Sequence, residues 1–241
     1  MSRGIALKVK RALDVCGAGV GLVLASPVLA VAGAAILVTQ GRPILFRQAR
    51  PGLGGAPFTI YKLRTMRPPR ADEVWYQTDA QRVTRLGRFL RATSLDELPE
   101  LWNVLRGEMS LVGPRPLLVE YLDQYTPDER RRHDVRPGVT GWAAVNGRHA
   151  LKFKERLALD VWYVDHWSLR LDLRILALTV YQVLRRSDVH ETQDIAEIGF
   201  PLPGAVRTSG APAGGEPAAA RAQPGMQAGG RSAPGAEGGR G

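Results

Sequence analysis

Two carboxylates stand side by side in Ser94-Leu95-Asp96-Glu97-Leu98-Pro99, at the start of a predicted helix and close to several arginines. One carboxylate can attack phosphorus while its neighbour handles a proton or holds a metal, provided that cations neutralise the phosphate first. Arg91, Arg115, Arg148, Lys62 and Arg64 lie in or beside predicted loops or strand ends, and the planar guanidinium fork suits phosphate oxygens. The same residues have a plain structural explanation. Ser94 and Glu97 have the S-x-x-E spacing of a capping box, Asp96 suits the positive end of a helix, and each arginine alone is accounted for as a solvated surface charge. No Walker A loop, no G-x-G-x-x-G and no histidine-based nucleophile arrangement occurs, which takes support from nucleotide-driven kinases and dinucleotide enzymes.

The composition narrows the setting. In 241 residues, 33 Lys and Arg stand against 23 Asp and Glu, and the net charge of +10 favours a polyanionic partner: nucleic acid, an anionic lipid surface or phosphorylated substrates. A 44% hydrophobic content is that of a folded domain. Cys16 is the single cysteine, so an intrachain disulfide and a thiolate metal cluster are excluded. His133, His149, His166 and His190 have no close metal-ligand spacing, which argues against a structural zinc site.

The elements that must position these residues begin with an apolar run, residues 15–39, that follows Lys8, Lys10 and Arg11 and precedes Arg42, Arg47 and Arg50. As a helix it reaches roughly 36 Å, more than a hydrocarbon core requires. It is longer than a signal-peptide core and leads into no cleavage site. Basic residues at both ends are each drawn to the cytoplasm, and Pro27 in the middle removes a backbone hydrogen bond and obstructs the carbonyl of Val23. A helix that enters one leaflet, turns at Ser26-Pro27 and returns satisfies both facts, with Ser26 able to bond a freed carbonyl. A spanning helix with a tolerated kink is the alternative.

Residues 44–66 read as a small hairpin whose second strand is 58–63, with turn glycines Gly52, Gly54 and Gly55. Residues 82–105 read as helix broken at Thr93-Ser94. Two Pro-rich turns, Gly113-Pro114-Arg115-Pro116 and Arg136-Pro137-Gly138, flank a polar helix at 128–133, a loop density that builds sites. Residues 153–184 read as one helix, whose apolar second half from 169 suits a core or a membrane surface. The Gly, Ala, Pro and Arg composition after Pro203 predicts a disordered tail.

The ordered motifs Lys10-Arg11-Ala12-Leu13-Asp14, Ser26-Pro27, Phe46-Arg47-Gln48, Ile60-Tyr61-Lys62-Leu63-Arg64-Thr65-Met66, Ser94-Leu95-Asp96-Glu97-Leu98-Pro99, Asn103-Val104-Leu105-Arg106-Gly107-Glu108-Met109-Ser110, Gly113-Pro114-Arg115-Pro116, Arg136-Pro137-Gly138-Val139-Thr140-Gly141-Trp142 and Asn146-Gly147-Arg148 run through residues 5–186. Together they make the chain resemble the bacterial initiating sugar transferases, specifically the small monotopic phosphoglycosyltransferases. The resemblance implies transfer of a sugar-1-phosphate from a UDP-sugar to undecaprenyl phosphate. Asp96 would attack the phosphate next to the sugar, release UMP and hold the sugar phosphate covalently; Glu97 would assist proton transfer from the acceptor. It implies Mg2+ at Asp96, phosphate contacts from Arg115 and Arg148, and Lys62, Arg91 and Asp160 as further candidates. It also implies a re-entrant helix broken at Ser26-Pro27 and a monotopic seat on the cytoplasmic face of the bacterial inner membrane. Glycosyltransferases of the same exopolysaccharide, capsule, O-antigen or glycoprotein pathway are the implied partners, and no nucleic acid. The larger relatives' extra N-terminal helices are absent, which fits the compact form, and Arg106 and Glu108 replace the more usual Lys and Asp without change of charge.

The expected fold is therefore α+β, a mainly helical compact domain with a small β-hairpin, an N-terminal re-entrant membrane helix and amphipathic membrane-surface helices. Its parts are a membrane hairpin (1–42), a catalytic domain (43–190), a connecting segment (191–202) and the tail (203–241). Two rivals remain: a membrane-anchored basic nucleic-acid-binding protein, which leaves Asp96 and Glu97 as a cap, and a phosphohydrolase, in which water resolves the Asp96 intermediate.

Overall fold

A computed structural model of the protein describes residues 3–70, 79–147 and 151–185. The connecting segment, the tail and Arg148 lie outside the described residues.

Helix α1 (Arg3–Gln40) is continuous through Pro27. The proline leaves the Val23 carbonyl without its helical donor, and Ser26 Oγ donates to that carbonyl at 2.8 Å. This substitution keeps the chain helical where two arms separated by a turn were expected. Asp14, Ala18, Ala25, Ala32 and Ile36 are buried at spacings of four and seven, so one stripe of α1 lies on the body. The opposite side is apolar and bare: Val23, Leu24, Val31 and Val38 are 72%, 73%, 72% and 87% exposed.

Strands β1 (Leu45–Pro51) and β2 (Pro57–Leu63) form the expected antiparallel hairpin, with Phe46 opposite Lys62 and Arg50 opposite Phe58. The short helices α2 (Asp79–Arg82) and α3 (Arg85–Ala92) follow. A Cβ on Gly87 would stand 1.9 Å from the Thr65 carbonyl oxygen, so glycine is what lets α3 close on the end of the hairpin. The break at Thr93-Ser94 is present, and α4 (Glu100–Arg106) begins beyond it. Asn103 ties α4 to the hairpin: its Nδ2 donates to the Thr59 carbonyl at 2.7 Å and its Oδ1 accepts from Tyr61 N at 3.2 Å.

Both ends of the apolar run are fastened to this one body. Near the N-terminal end Arg11 donates to the carbonyls of Val104 and Leu105 at 2.7 and 3.1 Å. At the C-terminal end the Arg64 guanidinium caps α1 by donating to the carbonyls of Gln40, Gly41 and Arg42 at 2.5, 2.7 and 3.0 Å.

Strand β3 (Ser110–Val112), the short helix α5 (Pro127–Arg130) and strand β4 (Gly138–Thr140) come next. The parallel pairing of β3 with β4 has no forecast in the sequence pattern. It interlocks the two Pro-rich turns: a Cβ on Gly113 would meet the Arg136 carbonyl oxygen at 2.3 Å, and one on Gly138 would meet Gly113 N at 2.1 Å. Helices α6 (Trp142–Val145), α7 (Phe153–His166) and α8 (Leu169–Arg185) complete the described chain. The single helix expected over 153–184 is thus two. The chain is extended at Trp167, and Ser168 Oγ accepts from Leu171 N at 3.2 Å to start α8 afresh. Leu171 and Ile175 of α8 join the core around Val112 and Tyr163, while Leu173, Val180 and Leu184 stay exposed on another side.

Candidate functional site

The paired carboxylates do not form a cap. Ser94 has the left-handed backbone (φ 55, ψ 19) that a serine rarely adopts, and its side chain makes no capping bond. Thr93 Oγ1 closes α3 by donating to the Phe89 carbonyl at 2.8 Å, Ser94 reverses the chain, and Asp96 and Glu97 lie in a single 3-10 turn, Leu95–Glu97. A non-glycine residue held in this conformation stores strain, a feature that concentrates at functional positions. The structural explanation of Ser94 and Glu97 as a capping box is thereby overturned.

Glu97 is held instead by two cations from distant parts of the chain. Lys62 Nζ donates to its Oε1 at 2.7 Å, Arg115 Nη1 donates to its Oε2 at 3.4 Å, and Arg115 Nη2 donates to its Oε1. Burial alone would push the Glu97 carboxyl up, but Arg115 and Lys62 hold it well below the usual range. The same partnership holds Arg115 above its ordinary value. Lys62 also reaches Glu100 Oε1 at 3.0 Å. Glu100 is almost wholly enclosed, and burial pushes its carboxyl up to about 7 in spite of Lys62.

Asp96 differs from both. It is buried, yet its carboxylate makes no hydrogen bond or ion pair with the described residues. Burial and then the Glu97 charge raise its pKa, against the smaller opposing effects of Lys62, Arg91 and Arg115. A buried carboxylate left without a partner beside a cluster of cations is poised to take a ligand, whether phosphorus or a metal. Mg2+ suits such a place, because it favours one carboxylate with substrate oxygens over a full protein cage. Among the described residues, no group of three or more His, Cys, Asp or Glu side chains forms such a cage.

The remaining candidates divide. Arg91 stands at the end of α3, its Nε donating to Thr65 Oγ1 at 2.9 Å, with its charge within influence of Asp96. Arg64 is consumed in capping α1. Asp160 is buried and accepts from Arg132 Nε and Nη2 at 3.1 and 2.6 Å. Arg132 Nη2 in turn donates to the Arg115 carbonyl at 2.7 Å, so the Asp160 and Arg132 pair supports the backbone that carries Arg115.

Glu100, Asn103 and Arg132 are thus site residues that the sequence reading missed. Glu100 follows Pro99 directly and was within reach as a third carboxylate of the same segment; nothing in the local pattern of Arg132, inside an Arg-rich polar helix, marked it out. A recess with a volume of only about 10 Å³ lies beside Arg115, between Pro51 and Gly52 on one side and Pro114 and Pro116 on the other.

The arrangement is one free carboxylate, one carboxylate clamped by Lys62 and Arg115, and one buried carboxyl near neutrality. Comparison with known proteins agrees with phosphate-ester chemistry on a sugar. Residues 5–186 match the family model described as bacterial sugar transferase. The chain is 52% identical over 151 residues to the uncharacterised sugar transferase EpsL of Bacillus subtilis (strain 168), which covers 63% of this chain and 75% of that protein. It is 46% identical over 191 residues to the UDP-glucose:undecaprenyl-phosphate glucose-1-phosphate transferase of Caulobacter vibrioides, covering 75% of this chain and 72% of the relative. The protein of the same name from Escherichia coli (strain K12) is 41% identical over 189 residues, 74% of this chain but 41% of the longer relative.

Proposed function

Because the chain belongs to the bacterial sugar transferase family, we propose that it moves a sugar-1-phosphate from a UDP-sugar to undecaprenyl phosphate through a covalent phosphosugar on Asp96. The observation that carries the proposal is the free carboxylate of Asp96 beside a neighbour gripped by Lys62 and Arg115. In the first step an Asp96 oxygen bonds to the phosphorus next to the sugar, and the bond from that phosphorus to the UMP oxygen breaks. In the second an oxygen of the lipid phosphate attacks the same phosphorus and the bond to Asp96 breaks, giving the lipid diphosphate sugar.

Lys62 and Arg115 neutralise the phosphoryl oxygens, Arg91 adds charge near Asp96, and Arg148 belongs to the same proposed set of phosphate contacts. Sharing Lys62 and Arg115 with substrate weakens their hold on Glu97, so its pKa rises on binding and it becomes able to take the acceptor's proton. Bound at Asp96, Mg2+ would supply charge neutralisation on the diphosphate.

The proposal includes a seat on the cytoplasmic face of the bacterial inner membrane. The attachment of both ends of α1 to one body, through Arg11 and Arg64, supports a helix that returns to the side it entered from, bent at Ser26-Pro27. The bare apolar sides of α1 and α8 support contact with lipid. The product starts a bacterial glycan, exopolysaccharide or lipopolysaccharide among them, and is passed to glycosyltransferases of the same pathway.

The test is release of UMP by detergent-purified protein from a panel of UDP-sugars with Mg2+, with and without undecaprenyl phosphate. Sustained release that requires the lipid, together with the mass of one sugar phosphate on the peptide holding Asp96 when the lipid is withheld, is expected. Sustained release without lipid would identify a hydrolase, and no release from folded protein would end the proposal. Single cysteines at positions 8 and 42 in a Cys16→Ser background should both be labelled from the cytoplasmic side; labelling from opposite sides would mean a spanning helix.

A further inference from the structure

Lys62 stands between two carboxylates, and the steps proposed above use only one of them. Its Nζ donates to Glu97 Oε1 at 2.7 Å and lies 3.0 Å from Glu100 Oε1. The two acceptors differ. Glu97 is partly open to solvent and has Arg115 as a second cation, whereas the Glu100 side chain is 2% exposed and, among the described residues, has Lys62 as its one ion-pair partner. Glu100 Oε1 is sealed from solvent and forms no aligned hydrogen bond, to Lys62 or to any other described group. Its acceptor capacity is therefore unfilled at ion-pair distance from an ammonium that has three donors.

Glu100 is also fixed relative to Lys62. It opens α4, and Asn103, three residues on and on the same helix face, donates to the Thr59 carbonyl and accepts from the amide of Tyr61, the residue before Lys62. Those bonds pin α4 to the stretch of β2 that carries the lysine. Glu97 lies instead in the turn behind Ser94, and the proposed reaction requires it to lose its hold on Lys62 when phosphate arrives. Lys62 would then carry its charge on a flexible four-carbon stem with its best acceptor gone. A buried oxygen with no hydrogen bond is costly, and that cost is removed when a donor turns to it.

We propose that Glu100 is a positioning residue that acts through Lys62: it takes over the ammonium as Glu97 lets go, and so keeps Lys62 aimed at the phosphoryl oxygens during transfer. This role rests on the transfer reaction proposed above. One Nζ hydrogen turns onto Glu100 Oε1 while the others serve phosphate, and Glu100 itself makes no bond to phosphorus. The role requires an acceptor oxygen rather than a charge, and a carboxylate, a protonated carboxyl and an amide each present one.

The test compares Glu100→Ala, Glu100→Gln and Glu100→Asp with the wild type in the full-length, detergent-solubilised protein, and repeats Glu100→Ala in a Lys62→Met background. Glu100→Ala should lower kcat about 10-fold, short of the roughly 10²-fold that a fully misplaced group can cost. KM for the UDP-sugar should change little, because the bond from Lys62 to Glu97 is intact before reaction. Glu100→Gln should restore most of kcat. Once Lys62 is gone, Glu100→Ala should lower kcat no further, as expected of residues that act as a unit. Glu100→Asp draws the oxygen back by one methylene and takes the place of the Ala variant if that one does not fold. An equal loss with and without Lys62 would overturn the hand-over and mark a structural carboxylate. A Gln variant no better than Ala, or an effect confined to KM, would overturn it too. Infrared difference spectra on adding saturating UDP separate the hand-over from the reaction: a carboxyl band should shift in the wild type and be absent from Glu100→Gln and Lys62→Met. That shift in a protein that transfers no sugar phosphate would keep the hand-over and remove the reaction; transfer with no shift and with full kcat in Glu100→Ala would do the reverse.

Discussion

Two buried polar clusters of similar composition lie in this protein, and they are finished to different degrees. At the base of α1, Asp14 accepts from Ser110 Oγ at 2.8 Å and Leu111 N at 3.0 Å. Asp172 of α8 accepts from Lys10 at 2.7 Å, Tyr163 OH at 2.7 Å and Trp167 Nε1 at 3.2 Å. Every carboxylate there has its partners, and the cluster joins α1, β3, α7 and α8. Around Lys62 the accounting stays open: Asp96 has no partner among the described residues, Glu100 is driven towards its neutral form by burial, and Arg50 Nε has no hydrogen-bond acceptor. A satisfied buried network holds a structure together, whereas one left incomplete keeps its missing interactions for a ligand.

The sharpest way to break this comparison is Asp96→Asn. It keeps shape and removes the nucleophile, so transfer should fall by about 10⁴-fold or more while the unfolding temperature is kept or raised. Residual turnover near wild type would remove Asp96 from the chemistry. Asp172→Ala should act in the opposite sense, with a stability loss of about 3 kcal/mol as Lys10 loses its nearest carboxylate and little change in kcat per folded molecule. Denaturant titration in detergent alongside the transfer assay measures both; a stable but inactive variant would place Asp172 on the functional side.

Lys62→Met touches the open cluster at its centre and should lower kcat roughly 10²-fold. With Lys62 gone, Glu100 loses its ion-pair partner, so its carboxyl titrates higher than about 7. Infrared measurement of the protonated carboxyl band against a Glu100→Gln control would show no shift if the pairing were unimportant.

The smallest effect concerns His133. Its imidazole is buried with neither ring nitrogen hydrogen-bonded, and burial and then Arg132 lower its pKa to about 4. In the unfolded chain it takes a proton near pH 6.5. Between those values the unfolded state holds more protons, so stability from His133 is present above pH 6.5 and is lost as pH falls towards 4. His133→Phe should flatten that decline in a pH series of unfolding temperatures; an unchanged slope would mean that the ring is protonated in the folded protein.

Much of the frame was legible because it depends on neighbours in the chain. Alternating apolar residues between Gly- and Pro-containing turns set the hairpin, Thr93-Ser94 ended α3, and Ser26 was three residues from the carbonyl that Pro27 frees. Asp96 and Glu97 were visible as a pair, and the cations Lys62, Arg91 and Arg115 as their candidates. Local spacing also misled. It read Ser94 and Glu97 as a cap, and long-range ion pairing won, since Lys62 and Arg115 lie 35 and 18 residues from Glu97. It also joined α7 to α8, where Ser168 starts a new helix.

By itself the sequence determined the apolar length of α1, the carboxylate pair and the stock of cations around it, because composition and short-range periodicity carry those directly. Only the tertiary structure decided which of these charges neutralise one another. That depends on the parallel pairing of β3 with β4, on the bond from Arg132 to the Arg115 carbonyl, and on Asn103 holding α4 against the hairpin. Each is a contact between segments far apart in the chain, and the geometry that joins them leaves Asp96 free and Glu97 taken.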